Sequence, residues 1–351
     1  MRVLVASDTV GTLTSRQAGE AIGSGWVGAD VRVLPVGDSG QGFLTAYADL
    51  REAAIEAALD GDYLVNTARS GNEVALDVTG PVSPEALPLL ATSRPLGEAM
   101  ARALDEHRPQ SLVVDLSGLA VHDAGAGLLA GLGAEADQPL DVGVEPLARL
   151  NRLDLSRVWS RLGGTELVGV VPATQLAQPL LGLRGITSLT GRAAGMDASE
   201  LLATDAALEA FARLASPDQA WAPGAGAGGG LGFAVLALGG RLTSGPAMAF
   251  ASTQGVHART QADLMLTGCT VFDFARRGGG VVAAVAELAA GSLSPCVLIA
   301  GEVVVGAREM RAMGIEAAYA VRESSLDAPA GEVTEAELRQ TAARVARSWR
   351  W

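Results

Sequence analysis

The chain contains no lysine: all 26 of the basic residues among its 351 are arginines. This absence excludes three kinds of site, namely a Walker-A phosphate loop, a Schiff-base mechanism and a lysine general base. Arginine has been used wherever the chain needs a cation, as is common in GC-rich genomes. An arginine by itself therefore indicates no function here.

Cysteine and aromatic residues are also scarce. The two cysteines, Cys269 and Cys296, form no C-x-x-C pair and cannot build a disulfide framework, which favours a reducing cytoplasmic location. Because only 4% of the residues are aromatic, the hydrophobic cores must be built from alanine, valine and leucine. The length and the 49% hydrophobic content predict two domains, each with its own core.

Positive charge is in deficit. The 39 acidic residues and 26 arginines give a net charge of -13 and a pI of about 4.7, which disfavours nucleic acid and anionic membranes as partners. Residues 1–6 are too short an apolar run for a signal peptide, and residues 231–238 fall short of the roughly 20 that span a membrane. We expect a soluble cytoplasmic protein in which a phosphate site needs local arginine, backbone N–H groups or a metal.

Short strand-like runs alternate with alanine-rich helical stretches, which predicts an α/β fold with mainly parallel sheets. Near the N-terminus we expect a strand over 2–6, a helix from the capping box Thr14-x-x-Gln17, a strand over 31–36 and a helix over 43–59. The C-terminal third repeats this order, so we expect both ends to share one sheet. The elements expected there are strands over 263–267, 296–300 and 317–321 and helices over 280–290, 307–313 and 334–349.

The middle of the chain has a different pattern. It contains proline-rich breaks over 81–88, a strand over 112–116 and a glycine run over 224–232. We therefore predict a Rossmann-like parallel-sheet domain made of residues 1–77 plus 256–351. A second α/β domain, residues 78–255, is expected to be inserted into it.

The glycine run contains a literal G-x-G-x-x-G at Gly224, Gly226 and Gly229. The dinucleotide fingerprint requires a preceding strand, whereas residues 216–221 here read as a loop, so this pattern does not favour NAD binding. Two interpretations remain. The bare N–H groups could cradle a phosphate, or the glycines could serve close backbone packing.

Carboxylates follow the first two predicted strands. Asp8 comes after the first strand, and Asp38 lies in the glycine-rich turn 37–42 after the second. Because strand ends are the usual ligand edge of an open α/β sheet, Asp38 could bind magnesium or take a hydroxyl proton, with Asp8 facing it. Otherwise Asp38 is a helix cap and Asp8 a solvated loop end.

The three histidines, His107, His122 and His257, have no metal-ligand spacing. His122 and Asp123 lie in a loop that ends in small residues and opens a helix. This loop is interpreted either as a ligand edge or as an ordinary connection with Asp123 as the helix cap. Neither a nucleophile elbow nor a serine–histidine pair is defined by the spacing.

Taken together and in order, these loops resemble the glycerate kinase family of bacterial type. The family's D-S-F-K-x-S-L-S resembles residues 8–15, its A-D-G-G-E-G-T resembles 37–43, and its G-G-S-A-T-N-D-G-G-A-G resembles 116–127. Its P-G-A-G-A-x-G-G-x-G resembles 223–232, and its A-D-L-V-I-T-G-E-G-R-x-D resembles 262–273. The resemblance covers nearly the whole chain and implies the family's α/β fold.

The resemblance also implies an activity: phosphorylation of D-glycerate or a related small hydroxy acid with ATP and Mg²⁺, in a cleft between the two domains. It implies catalytic roles for Asp8, Asp38 and Asp273, with Asp273 helping to hold magnesium. The residues implied in binding substrate or phosphate are Gly40, Gly42, His122, Asp123, Gly125, Gly224, Gly226, Gly228, Gly229, Arg192 and Arg276.

The chain departs from the family pattern where charge is needed. Gly11 stands at the lysine of the first motif, Gln41 and Phe43 replace the glutamate and threonine of the second, and Cys269 and Val271 replace the glutamate and arginine of the last. In phosphoryl transfer one electrostatic donor is often worth roughly 3 kcal/mol.

The family's aspartates before N-P-L are Gln175 and Ala177 in this chain. Arginines from elsewhere could replace part of the lost charge, since arginine binds phosphate bidentately. Two hypotheses follow: a hydroxy-acid kinase, or a catalytically silent relative that binds a metabolite or a protein partner. An NAD-dependent oxidoreductase is a third hypothesis, which the missing strand before the glycine run disfavours. The arginines considered are Arg16, Arg192, Arg276 and Arg277.

Overall fold

The structure is a computed structural model that describes residues 1–40, 42–81, 87–259, 262–322 and 333–349. The strands are β1 Arg2–Val5, β2 Asp30–Val33, β3 Ile55–Asp60, β4 Tyr63–Ser70, β5 Glu73–Thr79, β6 Ser111–Asp115, β7 Glu135–Ala136, β8 Leu153–Asp154, β9 Glu166–Val170, β10 Arg241–Thr243, β11 Leu264–Phe272, β12 Cys296–Val303 and β13 Ala317–Ala320. The helices are α1 Ser15–Gly23, α2 Phe43–Arg51, α3 Arg94–His107, α4 Ala126–Leu132, α5 Ser156–Leu162, α6 Ile186–Ala193, α7 Ala198–Ala215, α8 Leu231–Ala237, α9 Gly245–Ala251, α10 Thr253–Arg259, α11 Gly279–Ser292, α12 Ala307–Ala312 and α13 Glu335–Ala346.

The chain divides into two compact units, of which the first comprises Met1–Ala53 and Gly245–Trp351 and the second Ala54–Ser244. The first unit contains a parallel sheet in the order β13-β12-β11-β1-β2. Strands from both ends of the chain therefore share one sheet, which confirms the prediction. β1 lies in the middle and pairs with β11 on one side and β2 on the other.

Both faces of this sheet are covered. In β1, Val3 and Val5 belong to a core shared with α1 and α13, whereas Leu4 belongs to a core shared with α11 on the opposite face. A strand that buries alternate residues on two sides must be apolar over its buried part, as residues 3–5 of β1 are. The predicted capping boxes at Thr14 and Thr334 are both formed, and they begin α1 and α13.

The second unit contains a six-stranded sheet in the order β10-β9-β6-β5-β4-β3. Strands β10, β9, β6 and β5 are parallel, and β4 and β3 extend the sheet as an antiparallel hairpin. Its core includes Phe211 and Phe233, whose ring centroids lie 5.9 Å apart in an edge-on arrangement. In the part of the chain that the structure describes, no helix is long and apolar enough to cross a bilayer.

The helix predicted over 43–59 is wrong in its second half. α2 ends at Arg51 because Glu52 takes a left-handed conformation at φ 54°, and residues 55–60 form β3 instead. The alanine-rich sequence favours helix locally, but continuous pairing with β4 overrides that preference.

This pairing also moves the domain boundary. Because β3, β4 and β5 join the sheet of the second unit, the chain divides after residues 53 and 244, whereas the sequence suggested 77 and 255. Residues 82–86 of the proline-rich segment lie outside the described ranges.

Candidate functional site

Three of the predicted site residues follow adjacent strands of the first unit. Asp8 comes after β1, Asp38 after β2 and Asp273 directly after β11. From β1 the chain proceeds to β2 on one side, while β11, β12 and β13 lie in succession on the other, so the strand order reverses next to β1. Ligands of open α/β sheets bind at the carboxyl edge beside such a reversal.

Asp8 is a half-buried carboxylate with few hydrogen-bond donors. Its backbone N–H donates to the carbonyl of Gly268 at 3.0 Å, and its Oδ1 accepts from the N–H of Thr9 at 2.7 Å. Burial, with a further contribution from the charge of Asp38, raises the pKa of Asp8 to about 6. Oδ2 of Asp8 lies next to Gly279 and Oδ2 of Asp38 lies next to Gly280, so both carboxylates approach the same turn. Their role as a catalytic pair stays a prediction.

The raised pKa of Asp8 predicts a pH-dependent stability. The pKa of Asp8 in the folded state lies above its ordinary value of 3.8. Above about pH 6 Asp8 is ionised in both states, and its buried charge destabilises the folded state. Below about pH 4 it is protonated in both states, and this destabilisation is absent. We expect Asp8→Asn to raise the free energy of unfolding by about 1–2 kcal/mol at pH 8, with the gain disappearing towards pH 4. Urea unfolding at pH 8 and pH 4.5 measures this, with exposed Asp30→Asn as the control. An equal gain at both pH values would contradict it.

Asp38 is held by backbone amides. Its Oδ1 accepts from the N–H of Ser39 at 2.9 Å, and its Oδ2 lies against the backbone of Gly280 in the first turn of α11, whose N–H faces the carboxylate. Burial raises the pKa of Asp38, and these two N–H groups oppose the rise. Asp38 is thus tied both to its own turn and to the helix that follows β11.

The glycines of the turn after β2 support this arrangement. Gly40 and Gly42 have φ values of 92° and 91°, which favour glycine, and Gly42 precedes α2. A side chain at Gly42 would begin 3.3 Å from the methyl group of Thr9 and 4.0 Å from Oδ1 of Asp8. Gly42 therefore borders Asp8, while Gln41 lies outside the described residues. The role in binding substrate or phosphate that the resemblance implies for Gly42 stays a prediction.

Asp273 turns the chain between β11 and α11. Its Oδ1 accepts from the backbone N–H of Arg276 at 2.6 Å. The guanidinium of Arg277 lies over the ring of Phe274 at 5.8 Å, and Arg276 is exposed. These arginines sit at the same edge of the sheet as the carboxylates, at the loop that opens α11.

The other arginines considered lie elsewhere. Arg16 forms an ion pair with Asp49 at 3.3 Å and also donates to the Asp49 carbonyl, so it links α1 to α2. Arg192 is an exposed residue of α6 in the second unit. Arg16 is therefore occupied in packing, and Arg276 is the better placed of the predicted phosphate-binding arginines within the first unit.

A three-glycine run, Gly278 to Gly280, lies next to the carboxylates although no sequence motif pointed to it. Gly278 and Gly279 have φ values of 77° and 86°, and the N–H of Gly280 faces the Asp38 carboxylate. A side chain at Gly279 would begin 3.5 Å from Oδ2 of Asp8. The signal was present in the sequence, because this glycine run lies in the connection from a strand to a helix, an arrangement that the run at 224–232 lacks.

The departures from the family pattern have structural explanations. Gly11 has φ 60° in the tight turn between Val10 and Leu13, where any other residue would be strained, so the local backbone does not suit a lysine. Cys269 is buried, and burial together with Asp8 and Asp273 raises the pKa of its thiol to about 12. Phe43 is a core residue packed near Tyr47, and Val271 continues β11. At positions 11, 269 and 271 neutral groups therefore replace charged ones, and at position 43 a core phenylalanine replaces a polar threonine.

His122 and Asp123 are buried in the second unit. The Nε2 of His122 lies 3.0 Å from the Oγ1 of Thr187, and burial lowers the pKa of His122 to about 4, so its ring is neutral at pH 7. Asp123 accepts hydrogen bonds from the N–H and Oγ of Ser93, both at 2.8 Å, and from the N–H groups of Gly125 and Gly127. These contacts correspond to the capping interpretation of Asp123, and they leave it no exposed oxygen for a ligand.

The glycine run of the second unit is packed tightly. Side chains at Gly226, Gly228 and Gly229 would begin 2.3 Å, 2.7 Å and 1.8 Å from the carbonyl oxygens of neighbouring segments, and one at Gly224 would meet Leu242. The N–H of Gly228 donates to the Oε1 of Gln175 at 2.9 Å. These contacts support the interpretation of close backbone packing, and whether the loop also binds phosphate stays a prediction.

Among the residues that the structure describes, no cluster of three or more His, Cys, Asp or Glu side chains could hold a metal ion. Magnesium in phosphoryl-transfer sites needs no such cage, because it is bound by one or two carboxylates together with substrate phosphates and water. The Asp8 and Asp38 pair has this composition. The donor set therefore fits a magnesium ion that arrives with a nucleotide, and it fits a tightly held resident metal poorly.

Known proteins are similar along the whole chain. The model of the glycerate kinase family matches residues 3–350. A glycerate kinase of Bacillus cereus is 28% identical over 100% of this chain and 98% of its own length, and an uncharacterised protein of Mycobacterium bovis is 31% identical over 92% and 84%. A crystal structure from Salmonella typhimurium LT2, named as a glycerate kinase 2, has the same fold with a TM-score of 0.78, 24% identity and coverage of 99% and 98%. The chain belongs to the glycerate kinase family.

Proposed function

We propose that this chain is a kinase that transfers the terminal phosphoryl group of ATP to a hydroxyl of D-glycerate or a related small hydroxy acid. The observation that carries the proposal is the Asp8 and Asp38 pair beside the strand reversal, with Asp38 held by the first turn of α11. The family membership and the names of curated relatives support the reaction class.

In this proposal Asp38 accepts the proton of the attacking hydroxyl. Its carboxylate is oriented by two backbone N–H groups, and a general base must lie within hydrogen-bond reach of the proton it removes. Asp8, whose pKa is raised to about 6, is ionised at neutral pH and holds the second negative charge of the pair. Magnesium arriving with the nucleotide would be held by Asp8, with Asp273 as the further ligand that the family resemblance implies, and would neutralise the phosphoryl charge.

Phosphate recognition is assigned to the loop that opens α11. Its glycines leave the backbone accessible, the helix end favours anions, and Arg276 is an exposed guanidinium at the start of the loop. An anion-binding edge is needed because the chain carries a net charge of -13, which repels free nucleotide. Arginine and backbone N–H groups would here supply what lysine supplies in the family pattern.

The proposal is tested by turnover. Purified chain with ATP, Mg²⁺ and D-glycerate is expected to form ADP and a phosphoglycerate in equal amounts, measured by coupled ADP release and phosphorus NMR. ADP formation must depend on glycerate and on Mg²⁺. If ADP formed no faster with D-glycerate than without it, the proposal would be overturned and the catalytically silent relative would be favoured.

In that second case the chain would still bind a metabolite. A thermal-shift screen would then show stabilisation by a hydroxy acid or a nucleotide, because a ligand of the native state raises apparent stability by mass action.

A further inference from the structure

The contact between Asp38 and α11 requires a glycine. The backbone of Gly280 lies directly against the Asp38 carboxylate: a Cβ at position 280 would begin 2.1 Å from Oδ2 and 2.8 Å from Cγ of Asp38, and the N–H of Gly280 faces the carboxylate and lowers its pKa. Contacts of Cβ atoms under 3.0 Å essentially do not occur, so any side chain there displaces the carboxylate.

Helix formation itself gives no reason for glycine at this position. Gly280 lies within α11, and its φ is outside the left-handed range in which Gly278 and Gly279 lie. Alanine is a much better helix former than glycine, so on local grounds alanine would be preferred here. Gly291, near the other end of the same helix, has only open space around its missing side chain.

We propose that Gly280 is a positioning residue for the phosphoryl-transfer site: its backbone N–H fixes the Asp38 carboxylate, and its missing side chain admits that carboxylate to the first turn of α11. This rests on the proposed function of Asp38. Because α11 follows β11 and Asp38 follows β2, the contact joins the ends of two strands that lie on either side of β1, the strand that leads to Asp8. The orientation of Asp38 is thus set by a second element and not only by its own turn.

Activity is the first test. Gly280→Ala is expected to lower kcat by about 10- to 100-fold, as misplacement of a catalytic group by about 1 Å does, with KM for ATP changed less than about threefold. Gly291→Ala, in the same helix, is the matched control and should keep the wild-type kcat. A Gly280→Ala enzyme with the kcat of the control overturns the proposal.

Thermal unfolding is the second test, and it needs no activity. With Asp38 present, Gly280→Ala is expected to lower the melting temperature. In the Asp38→Ala background the same change removes no contact, so the melting temperature should stay constant or rise with the better helix former. Equal effects of Gly280→Ala in both backgrounds overturn the proposal.

These two tests separate the positioning role from the proposed reaction. A wild-type chain without turnover refutes the kinase, while the melting temperatures still decide whether Gly280 admits Asp38. Turnover with equal melting effects in the two backgrounds refutes the positioning role alone.

Discussion

Replacement of Asp38 by asparagine is expected to lower kcat by about 10²- to 10⁴-fold, the usual contribution of a general base. Asparagine has the same shape as aspartate, and its carbonyl oxygen can still accept from the N–H of Ser39, while its amide NH₂ takes the place of the oxygen next to Gly280. The substitution therefore removes the proton acceptor and the charge while it keeps the local structure. Steady-state ADP release with D-glycerate measures the effect.

The matched control is Asp30→Asn, an aspartate of the same unit that is exposed at the start of β2. It should retain wild-type kcat, and the melting temperatures of both variants should stay near that of the wild type. If Asp38→Asn retained more than about a tenth of wild-type kcat, proton removal by Asp38 would be excluded. The next base to test would then be Asp8.

Asp123→Ala is expected to destabilise the protein by about 3–5 kcal/mol, since it removes one buried partner from several donors at once. The side chain is fully buried and accepts from both the N–H and the Oγ of Ser93 and from the N–H groups of Gly125 and Gly127. Ser93 in turn accepts from the N–H of Leu128 through its Oγ. Loss of the carboxylate therefore leaves the starts of α3 and α4 with unpaired donors.

Chemical denaturation measures this loss, with exposed Asp62→Ala as the control for removing an aspartate without buried contacts. The control should change the free energy of unfolding by less than about 0.5 kcal/mol. A second variant, Asp123→Asn, keeps one acceptor oxygen and should fall between the two. A loss below about 1 kcal/mol for Asp123→Ala would show that these hydrogen bonds are replaced by water.

The position of the carboxylate pair could be predicted from the sequence because it depends on local patterns. Asp8 and Asp38 each follow a short apolar strand, and parallel strands place their carboxyl ends at one edge. The capping boxes at Thr14 and Thr334 are local in the same sense, since each involves residues three apart. Such features need only the order of residues along the chain.

The roles of buried polar residues could not be predicted in the same way. Asp123 and His122 lie in a loop whose pattern fits either ligand binding or capping, and the choice depends on partners 30 and 65 residues away, Ser93 and Thr187. The strand conformation of residues 55–60 likewise depends on their pairing with β4, which local helix propensity does not predict. Long-range contacts decided each of these outcomes.

The sequence by itself determined the α/β architecture, the shared sheet of the two chain ends and the absence of every lysine-dependent mechanism. It also showed glycine at position 11 where the family pattern has lysine. Only the tertiary structure decided that this glycine occupies a turn at φ 60° and that the N–H of Gly280 reaches Asp38. The physical reason is that periodicity and caps are set by neighbours along the chain, whereas hydrogen bonds across strands depend on which strands pack side by side.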